Sequence, residues 1–336
     1  MATMREVALL AGVSTKTVSR VVNDDRYISA GVRERVEQAI AELRYVPNPL
    51  ARTFRSGRDT AIGVAVPDLA DPFFAAIVRT VEHAARERGT VVLVTSVGED
   101  PTEEQPAVEA LLRRQISGLV LIPTGSDHTY LRQWADQVGI VFVDRPPGRL
   151  AADSVIEDDR SGAIASVDRL VANGHRRIAF LARDRQVVTV RRRQEGYRAA
   201  LAGAGLPLDA DLEIFYEDRG LAADVAVPEL LGRVDPPTAV FCANSLTAVD
   251  VVPVLHRIGR TDLAVVSFGD FPMADSLRPS VTAVDQIPDS LGRAAVERLF
   301  RRIDDPTARL GRLVVLPVSL IVRESSEIPG PAAGPA

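Results

Sequence analysis

The sequence predicts a small all-α head of helix-turn-helix type, followed by a larger α/β body of two parallel-sheet subdomains. Two observations lead to this prediction. Three short amphipathic helical patterns lie within the first 46 residues, and from residue 60 onward apolar runs of strand length alternate with helical patterns in two successive sets. The length of 336 residues agrees, because domains average ~150 residues and the chain therefore holds about two.

Composition and charge narrow the class of protein. The chain is 46% hydrophobic and 25% charged, its one cysteine, Cys242, cannot form an internal disulfide, and no apolar run approaches the ~20 residues of a membrane span. We therefore expect a cytoplasmic protein with no membrane segment. Residues 1–58 hold ten Lys or Arg against six Asp or Glu, a balance of +4, so the net charge of −5 leaves −9 for the rest. A basic head on an acidic body is typical of a DNA-binding module joined to another domain.

The head opens with two short helices joined by a tight turn. Thr3 is followed three residues later by a glutamate, the spacing of a capping box, so a first helix begins directly after it. Gly12 ends this helix because glycine tolerates the positive φ of a tight turn, and Ser14 caps a second helix. This separation is helix-turn-helix spacing. A third helix is predicted over 30–43, capped by Ser29.

The polar face of the second helix indicates DNA as the partner. Short hydroxyls and long cations are residue types that donate to phosphates and base edges, and here they are Thr15, Lys16, Thr17, Ser19 and Arg20. The alternative is a small helical bundle whose polar face is only solvated.

Seven apolar runs predict strands of parallel sheets that are covered on both faces. They are 61–67, 91–96, 119–123, 140–144, 178–182, 239–243 and 264–268. Amphipathic segments at 73–88, 160–173 and 192–204 predict helices between them. Sheets of this kind bind ligands beyond the carboxyl ends of their strands, so we expect a small-molecule site there.

Several motifs together resemble those of one family. TMREVALLAGVSTKTVSRVVN (3–23) closely resembles the start of the LacI/GalR family of bacterial transcriptional regulators, and YVPNPLARTF (45–54) resembles its linker. PDLADPFF, ISGLVLIP, GHRRIAFL, PTAVFCAN and LPVSLIVRESS follow in the family's order, so the resemblance covers about 3–326. It implies a homodimeric repressor with a periplasmic-binding-protein-like body of two Rossmann-like subdomains. Its implied partners are near-palindromic double-stranded operator DNA and a small-molecule effector bound between the subdomains.

The linker is predicted to form a short helix over 49–55, since Asn48 before a proline is typical of a helix start. Two turns are too short to be stable alone in water. The resemblance implies that this helix pairs with its dimer mate in the minor groove, with Phe54 as the wedge in place of the family's leucine; packing of Phe54 on the body is the alternative. The other residues of the DNA-contacting set are Thr3, Ser14, Thr15, Lys16, Thr17, Ser19, Arg20, Asn23, Tyr27, Ser29, Ala51 and Arg52.

The domain boundaries follow from these patterns and from the resemblance. The head is predicted at 1–46, the linker at 47–59, the body at 60–328 and a disordered tail at 329–336. The resemblance implies that the chain crosses three times between the subdomains of the body. The first subdomain then comprises about 60–157 and 289–317, and the second about 160–286 and 320–328.

The effector contacts come from the resemblance, position by position. Phe73 and Phe74 match an aromatic pair at the cleft, although core packing is an equally good role, and Arg193 matches an arginine that pairs with ligand oxygens. The whole set is Asp71, Phe73, Phe74, Asp144, Thr189, Arg191, Arg193, Arg219, Asn244, Asp270 and Gln286.

Departures from the family pattern bear on the effector. Gly269 replaces a carboxylate that commonly binds sugar hydroxyls, and Arg219 stands roughly where sugar and purine binders place a stacking ring. These changes, with the triple arginine at 191–193, predict a basic cleft and an anionic effector. The alternative is that Arg191, Arg192 and Arg219 only solvate the rim, and the effector class as a whole is a sugar, a sugar derivative or an anionic metabolite.

Catalytic and cofactor motifs are missing from the sequence. It contains no GxGxxG, P-loop or HExxH, its four histidines are scattered, and the adjacent carboxylates Glu157, Asp158 and Asp159 are typical of a solvated turn or helix start. We therefore expect no cofactor, no metal and no enzyme. A solute-binding protein of transport has the same body, but it needs an export signal and has no use for a basic head. An α/β enzyme is the third alternative.

Overall fold

The structure is a computed structural model that describes residues 2–22, 25, 27–45 and 61–331. It divides into two compact units, Met1–Thr60, here the head, and Ala61–Ala336, here the body. Five residues of the predicted DNA-contacting set lie outside the described residues, so their roles stay predictions. They are Asn23, Asn48, Ala51, Arg52 and Phe54.

The head is a cluster of three helices: α1 (Met4–Leu10), α2 (Thr15–Val22) and α3 (Ala30–Glu42). One valine from each helix is fully buried in its core, namely Val7, Val18 and Val36. Gly12 has a φ of +63°, the left-handed conformation that lets the chain turn sharply between α1 and α2. The helix-turn-helix prediction is therefore confirmed.

The body contains two six-stranded sheets. Strands of the first are β1 (Ala61–Val66), β2 (Val91–Ser96), β3 (Gly118–Leu121), β4 (Gly139–Val143), β5 (Asp153–Glu157) and β11 (Leu313–Leu316). Strands of the second are β6 (Ile178–Ala182), β7 (Glu213–Phe215), β8 (Ala239–Cys242), β9 (Ala264–Phe268), β10 (Thr282–Asp285) and β12 (Ser319–Ile321). The orders are β11-β5-β4-β3-β1-β2 and β12-β10-β9-β8-β6-β7, and only the β10–β12 pair is antiparallel among those described. Val64 of β1, for example, pairs with Val94 of β2 and Val120 of β3.

Helices cover both faces of each sheet. Around the first sheet they are α4 (Pro72–Glu87), α5 (Pro101–Leu112) and α10 (Pro288–Asp304), and around the second α6 (Asp159–Ala172), α7 (Val188–Gly203), α8 (Ala223–Leu231) and α9 (Ser245–Arg257). On the first sheet, α4 and α10 contribute to one apolar core and α5 contributes to the core on the opposite face. On the second sheet, α6 and α7 contribute to one core and α8 and α9 to the core on the opposite face. The α/β prediction is confirmed, and all seven predicted strands are present within two residues.

We call the first sheet with its helices the N-lobe and the second sheet with its helices the C-lobe. The chain passes between them three times: between β5 and α6, between β10 and α10, and between β11 and β12. Helix α10 therefore packs on the N-lobe although it follows a strand of the C-lobe, with Leu299 against the backbone at Gly118.

The end of the chain differs from the expectation. The N–H of Gly330 donates to the carbonyl oxygen of Asn173 at 2.8 Å, so the tail predicted to be disordered from residue 329 is packed on the C-lobe as far as this point. Within the described ranges, no helix is long and apolar enough to cross a membrane.

Candidate functional site

The polar face of α2 lies at the surface of the head. Thr15, Lys16 and Arg20 are exposed, whereas Thr17 and Ser19 are half-buried. The start of the helix is held by Ser14, whose Oγ accepts a hydrogen bond from the Thr17 N–H at 3.1 Å. The five predicted side chains are thus carried on one rigid, capped helix.

The turn after α2 holds Arg20 in place. Arg20 Nε donates to Asp25 Oδ2 at 2.8 Å, and Asp25 Oδ1 accepts from the backbone N–H of Tyr27 at 2.9 Å. The side chain of Arg20 remains 44% exposed, so it is oriented without being buried. Tyr27 is exposed. Ser29 precedes α3, but its side chain makes no capping hydrogen bond, which departs from the expected cap.

Thr3 lies directly before α1, at the end of that helix away from the turn to α2. Its side chain accepts from the N–H of Glu6, and the Glu6 carboxylate accepts from the Thr3 N–H at 2.7 Å, which completes the predicted capping box.

A cavity of about 280 Å³ lies between the two lobes of the body. The segments lining it follow the carboxyl ends of strands in both sheets, where an open α/β sheet presents loops and helix starts. Eight residues predicted from the sequence line it: Asp71, Phe73, Phe74, Asp144, Thr189, Arg193, Asn244 and Gln286.

Three residues of the predicted set are not among the lining residues: Arg191, Arg219 and Asp270. Arg219 Nη2 donates to Glu229 at 3.1 Å, and Asp270 accepts from Arg323 at 2.8 and 2.6 Å. Arg191 is exposed on α7. Residues four apart on a helix share a face and residues two apart do not, so Thr189 and Arg193 reach the cavity and Arg191 faces solvent.

The aromatic pair has both of the roles considered. Phe74 is buried in the core of the N-lobe and also lines the cavity, while Phe73 is partly buried. Their ring centroids are 5.4 Å apart in an edge-to-face arrangement.

Arg193 forms the floor of the cavity on the C-lobe side. It is almost fully buried, and it donates from Nε to Asp159 Oδ1 and from Nη1 to the carbonyl oxygen of Ala243, each at 2.8 Å. Its Cζ lies 3.8 Å from the centroid of the Phe268 ring. The guanidinium is therefore fixed by an ion pair, a backbone contact and a stacked ring.

The carboxylates at the first crossing lie at a helix start, which is one of the two expected roles, but two of the three are not solvated. Glu157 and Asp159 are each 2% exposed, and only Asp158 caps α6 by accepting from the Ser161 N–H. Burial raises the pKa of Asp159 to about 6 in spite of Arg193, and burial and the charge of Asp144 raise the pKa of Glu157 well above its usual value. The helix start is therefore confirmed, and the expected solvation of Glu157 and Asp159 is wrong because burial depends on how the crossing packs between the lobes.

The cavity is rich in carboxylates, so the prediction of a basic cleft is wrong. Its lining includes five acidic residues (Asp71, Glu99, Asp144, Asp184, Glu217) against three arginines (Arg145, Arg183, Arg193). Each arginine already has an acidic partner within the protein: Arg145 lies 3.4 Å from Asp144, Arg183 donates twice to Asp250 at 2.7 and 3.0 Å, and Arg193 pairs with Asp159.

Several other polar groups around the cavity are fixed by local contacts. Asp71 caps α4 by accepting from the Phe73 N–H at 2.8 Å, and burial raises its pKa. Asn244 caps α9 by accepting from the Thr247 N–H at 2.7 Å. Asp144 has a φ of +64°, an uncommon conformation for a residue with a side chain. These side chains are thus oriented before any ligand binds.

Sequence reasoning missed Arg145, Arg183 and Glu217, which also line the cavity. Arg145 and Arg183 follow strands β4 and β6, and Glu217 comes two residues after β7. Their position just beyond strand ends was the signal that could have found them, although β7 itself was not predicted.

His175 and Cys242 are structural. The ring nitrogens of His175 contact Thr238 Oγ1 and the carbonyl oxygen of Ile328, each at 2.9 Å, so it ties the segment before the tail to the C-lobe. Cys242 is fully buried in β8. Within the described part of the chain, no group of three or more His, Cys, Asp or Glu is placed to hold a metal ion.

Comparison with known proteins gives consistent matches over both units. Residues 3–48 match "Bacterial regulatory proteins, lacI family" and residues 167–326 match "Periplasmic binding protein-like domain". The ribose operon repressor of Escherichia coli K12 is 33% identical over 323 residues, covering 95% of this chain and 98% of that protein.

Solved structures of two transcriptional regulators are also similar to this chain. The lac repressor dimer bound to operator and the anti-inducer ONPF is similar with a TM-score of 0.83 and 30% identity, covering 97% of this chain and 99% of that one. A complex of the transcriptional regulator CelR with cellobiose has a TM-score of 0.68 and 32% identity, covering 97% of this chain and 100% of that one.

Proposed function

The chain belongs to the lacI family of bacterial regulatory proteins, and from this premise we propose that it represses transcription under the control of a small neutral sugar. It is a DNA-binding regulator whose operator affinity is controlled by an effector. The observation that supports a neutral sugar is the charge of the cavity, where carboxylates outnumber arginines and every arginine is already paired.

The charge of the residues that line the cavity favours hydroxyl donors over anions. A phosphate or carboxylate would enter a lining in which five acidic side chains outnumber three arginines, and it would have to compete with Asp144, Asp159 and Asp250 for the arginines. Sugar hydroxyls donate to carboxylates and also accept from guanidiniums, so they suit both groups. The volume of about 280 Å³ is near the lower end of ligand pockets, roughly 300–1,000 Å³, which favours a single sugar ring.

We assign roles to the lining residues on the same grounds. The rings of Phe73 and Phe74 cover the apolar face of the sugar, Asp71 and Asp144 accept from its hydroxyls, and Arg193 donates to its oxygens. The side chains of Thr189, Asn244 and Gln286 complete the polar contacts. Two relatives are named in connection with sugars, since one is a ribose operon repressor and CelR was solved in a complex with cellobiose.

The head supplies the DNA contacts. We propose that two copies of the chain bind a near-palindromic operator as a homodimer, with α2 of each head in the major groove of one half-site. Lys16 and Arg20 reach base edges, and the hydroxyls of Thr15, Thr17 and Ser19 contact phosphates or bases. The predicted linker at 47–59, with its helix at 49–55, joins this unit to the body, so a change of the lobes on sugar binding alters the pairing of the heads. We place this activity in the cytoplasm, on the nucleoid, and assign no catalytic step to the chain.

Two measurements test the proposal. Selection from a random duplex library followed by a mobility-shift titration is expected to yield a near-palindrome. Calorimetry with D-ribose, cellobiose and D-ribose 5-phosphate is expected to show binding of a neutral sugar and none of the phosphate, and the bound sugar is expected to change the mobility shift. Tight binding of D-ribose 5-phosphate without binding of either neutral sugar would contradict the charge argument and return the effector to the anionic class.

A further inference from the structure

Glu157 connects two of the three crossings between the lobes. It is the last residue of β5, at the first crossing, and its Oε2 accepts a hydrogen bond from Nε2 of Gln286 at 2.7 Å. Gln286 follows β10 at the second crossing and lines the cavity. The two residues are 129 positions apart in the chain, so this contact exists only because the lobes bring the crossings together.

The amide of Gln286 is also confined from its other side. A Cβ atom added to Gly269 would lie 2.3 Å from Oε1 of Gln286, closer than any side chain tolerates. Gly269 has a φ of +99°, a conformation that glycine adopts without strain. The missing side chain at 269 therefore makes room for the amide of Gln286, and Glu157 holds the amide there.

Burial of the Glu157 carboxyl group at this place costs free energy. It is 2% exposed, its Oε1 has no hydrogen-bond partner among the described residues, and the charged groups that act on it are Asp144, Asp159 and Arg193. Burial raises the pKa of Glu157 well above its usual value. An apolar residue of similar volume would avoid this penalty, so stability does not explain the glutamate.

We propose that Glu157 is a positioning residue for the effector: it orients the amide of Gln286 at the wall of the cavity and acts through Gln286 without touching the ligand. This inference rests on the proposed function, in which Gln286 contacts the sugar. Glutamine at 157 keeps an oxygen acceptor for the amide of Gln286, whereas leucine fills similar space and accepts nothing.

The test compares Glu157→Gln, Glu157→Leu, Gln286→Ala and the double variant Glu157→Leu/Gln286→Ala, with D-ribose and cellobiose as probes in calorimetry. We expect Glu157→Gln to retain the affinity of the wild type within about threefold and Glu157→Leu to lose about tenfold or more. We expect the double variant to bind as Gln286→Ala does within about twofold, because removing a positioning residue has no effect once its target is gone. Glu157→Leu is also expected to melt at or above the wild-type temperature, which separates lost binding from lost folding.

The magnetic resonance signal of the Gln286 side-chain amide tests, without any ligand, whether Glu157 positions that amide. The side-chain amide resonance of Gln286, assigned from its loss in Gln286→Ala, is expected to shift in Glu157→Leu and to remain near its wild-type position in Glu157→Gln. Wild-type affinity in Glu157→Leu, independent losses that add in the double variant, or an unshifted amide resonance would overturn the inference. If no sugar binds the wild type while the amide resonance still shifts, the proposed effector class fails and the positioning of Gln286 stands.

Discussion

Replacing Arg193 by methionine tests whether the floor of the cavity depends on one buried ion pair. Arg193 donates to Asp159 Oδ1 and to the carbonyl oxygen of Ala243, and its guanidinium stacks on Phe268. Methionine fills much of the same volume but donates no hydrogen bond. The variant therefore leaves the carboxyl group of Asp159 buried without its partner.

The expected loss is large and depends on pH. Removing one partner of a buried ion pair costs roughly 3–5 kcal/mol, which lowers Tm by roughly ten degrees for a unit of this size. Burial raises the pKa of Asp159 to about 6 in the wild type, and the loss of the positive charge of Arg193 raises it further. At pH 5 the variant holds Asp159 protonated and neutral, so the loss is smaller there than at pH 8.

The assay is denaturant unfolding of the body at pH 5 and pH 8, followed by circular dichroism. The matched control is Asp159→Asn combined with Arg193→Met, which removes the buried charge together with its partner and is expected to recover most of the lost stability. A loss below about 1 kcal/mol at pH 8, or one that is equal at both pH values and unchanged in the double variant, would refute the reasoning, because a buried unpaired charge has to show both effects.

Four further predictions follow. Arg20→Ala lowers operator affinity by ~1–3 kcal/mol in a mobility-shift titration, and affinity for non-specific DNA falls much less; unchanged operator binding would show that α2 is not the recognition helix. Arg145→Ala weakens sugar binding by about tenfold in calorimetry, since it lines the cavity, whereas Arg219→Ala leaves it unchanged because it does not. Asp159→Asn flattens the pH dependence of the unfolding free energy between about pH 4 and 6. In this range the wild type loses stability as pH rises, because the folded pKa of Asp159 is raised. A wild-type slope kept in the variant would contradict this. Gly196→Ala lowers the unfolding free energy of the body by ~1–3 kcal/mol, because its Cβ would lie 2.5 Å from a backbone carbonyl oxygen of α6; unchanged denaturant unfolding would show that α6 and α7 separate at no cost.

Local signals in the sequence identified the head and most strands. The capping box at Thr3 and the turn at Gly12 each depend on neighbouring residues, and the buried valines follow the local pattern of each helix, so short stretches of sequence indicate all of them. Continuous apolar runs similarly located seven strands, six of which are buried, whereas β2 lies at a sheet edge and is partly exposed. Strands β5, β7 and β10 to β12 escaped because they are short or contain polar residues, and their strand conformation depends on neighbours distant in sequence.

The resemblance to a family located positions in the cavity, but it did not determine their environment. Thr189 and Arg193 reach the cavity while Arg191 faces solvent, since the rotation of α7 on its sheet selects one face of the helix. The carboxylates at 157–159 were expected in a solvated turn or at a helix start; they do lie at a helix start, but Glu157 and Asp159 are buried there.

The sequence by itself thus determined the two units, the helix-turn-helix and most strands of the parallel sheets, because these depend on patterns within a few residues. The polar positions of the cavity came from the resemblance to a family. The tertiary structure alone decided the charge balance of the cavity and the contact between Glu157 and Gln286. Both depend on how far the two lobes exclude water and on groups brought together from crossings 129 residues apart. The pairing and burial of a charged side chain depend on the packing of the whole body, and a local pattern does not contain that information.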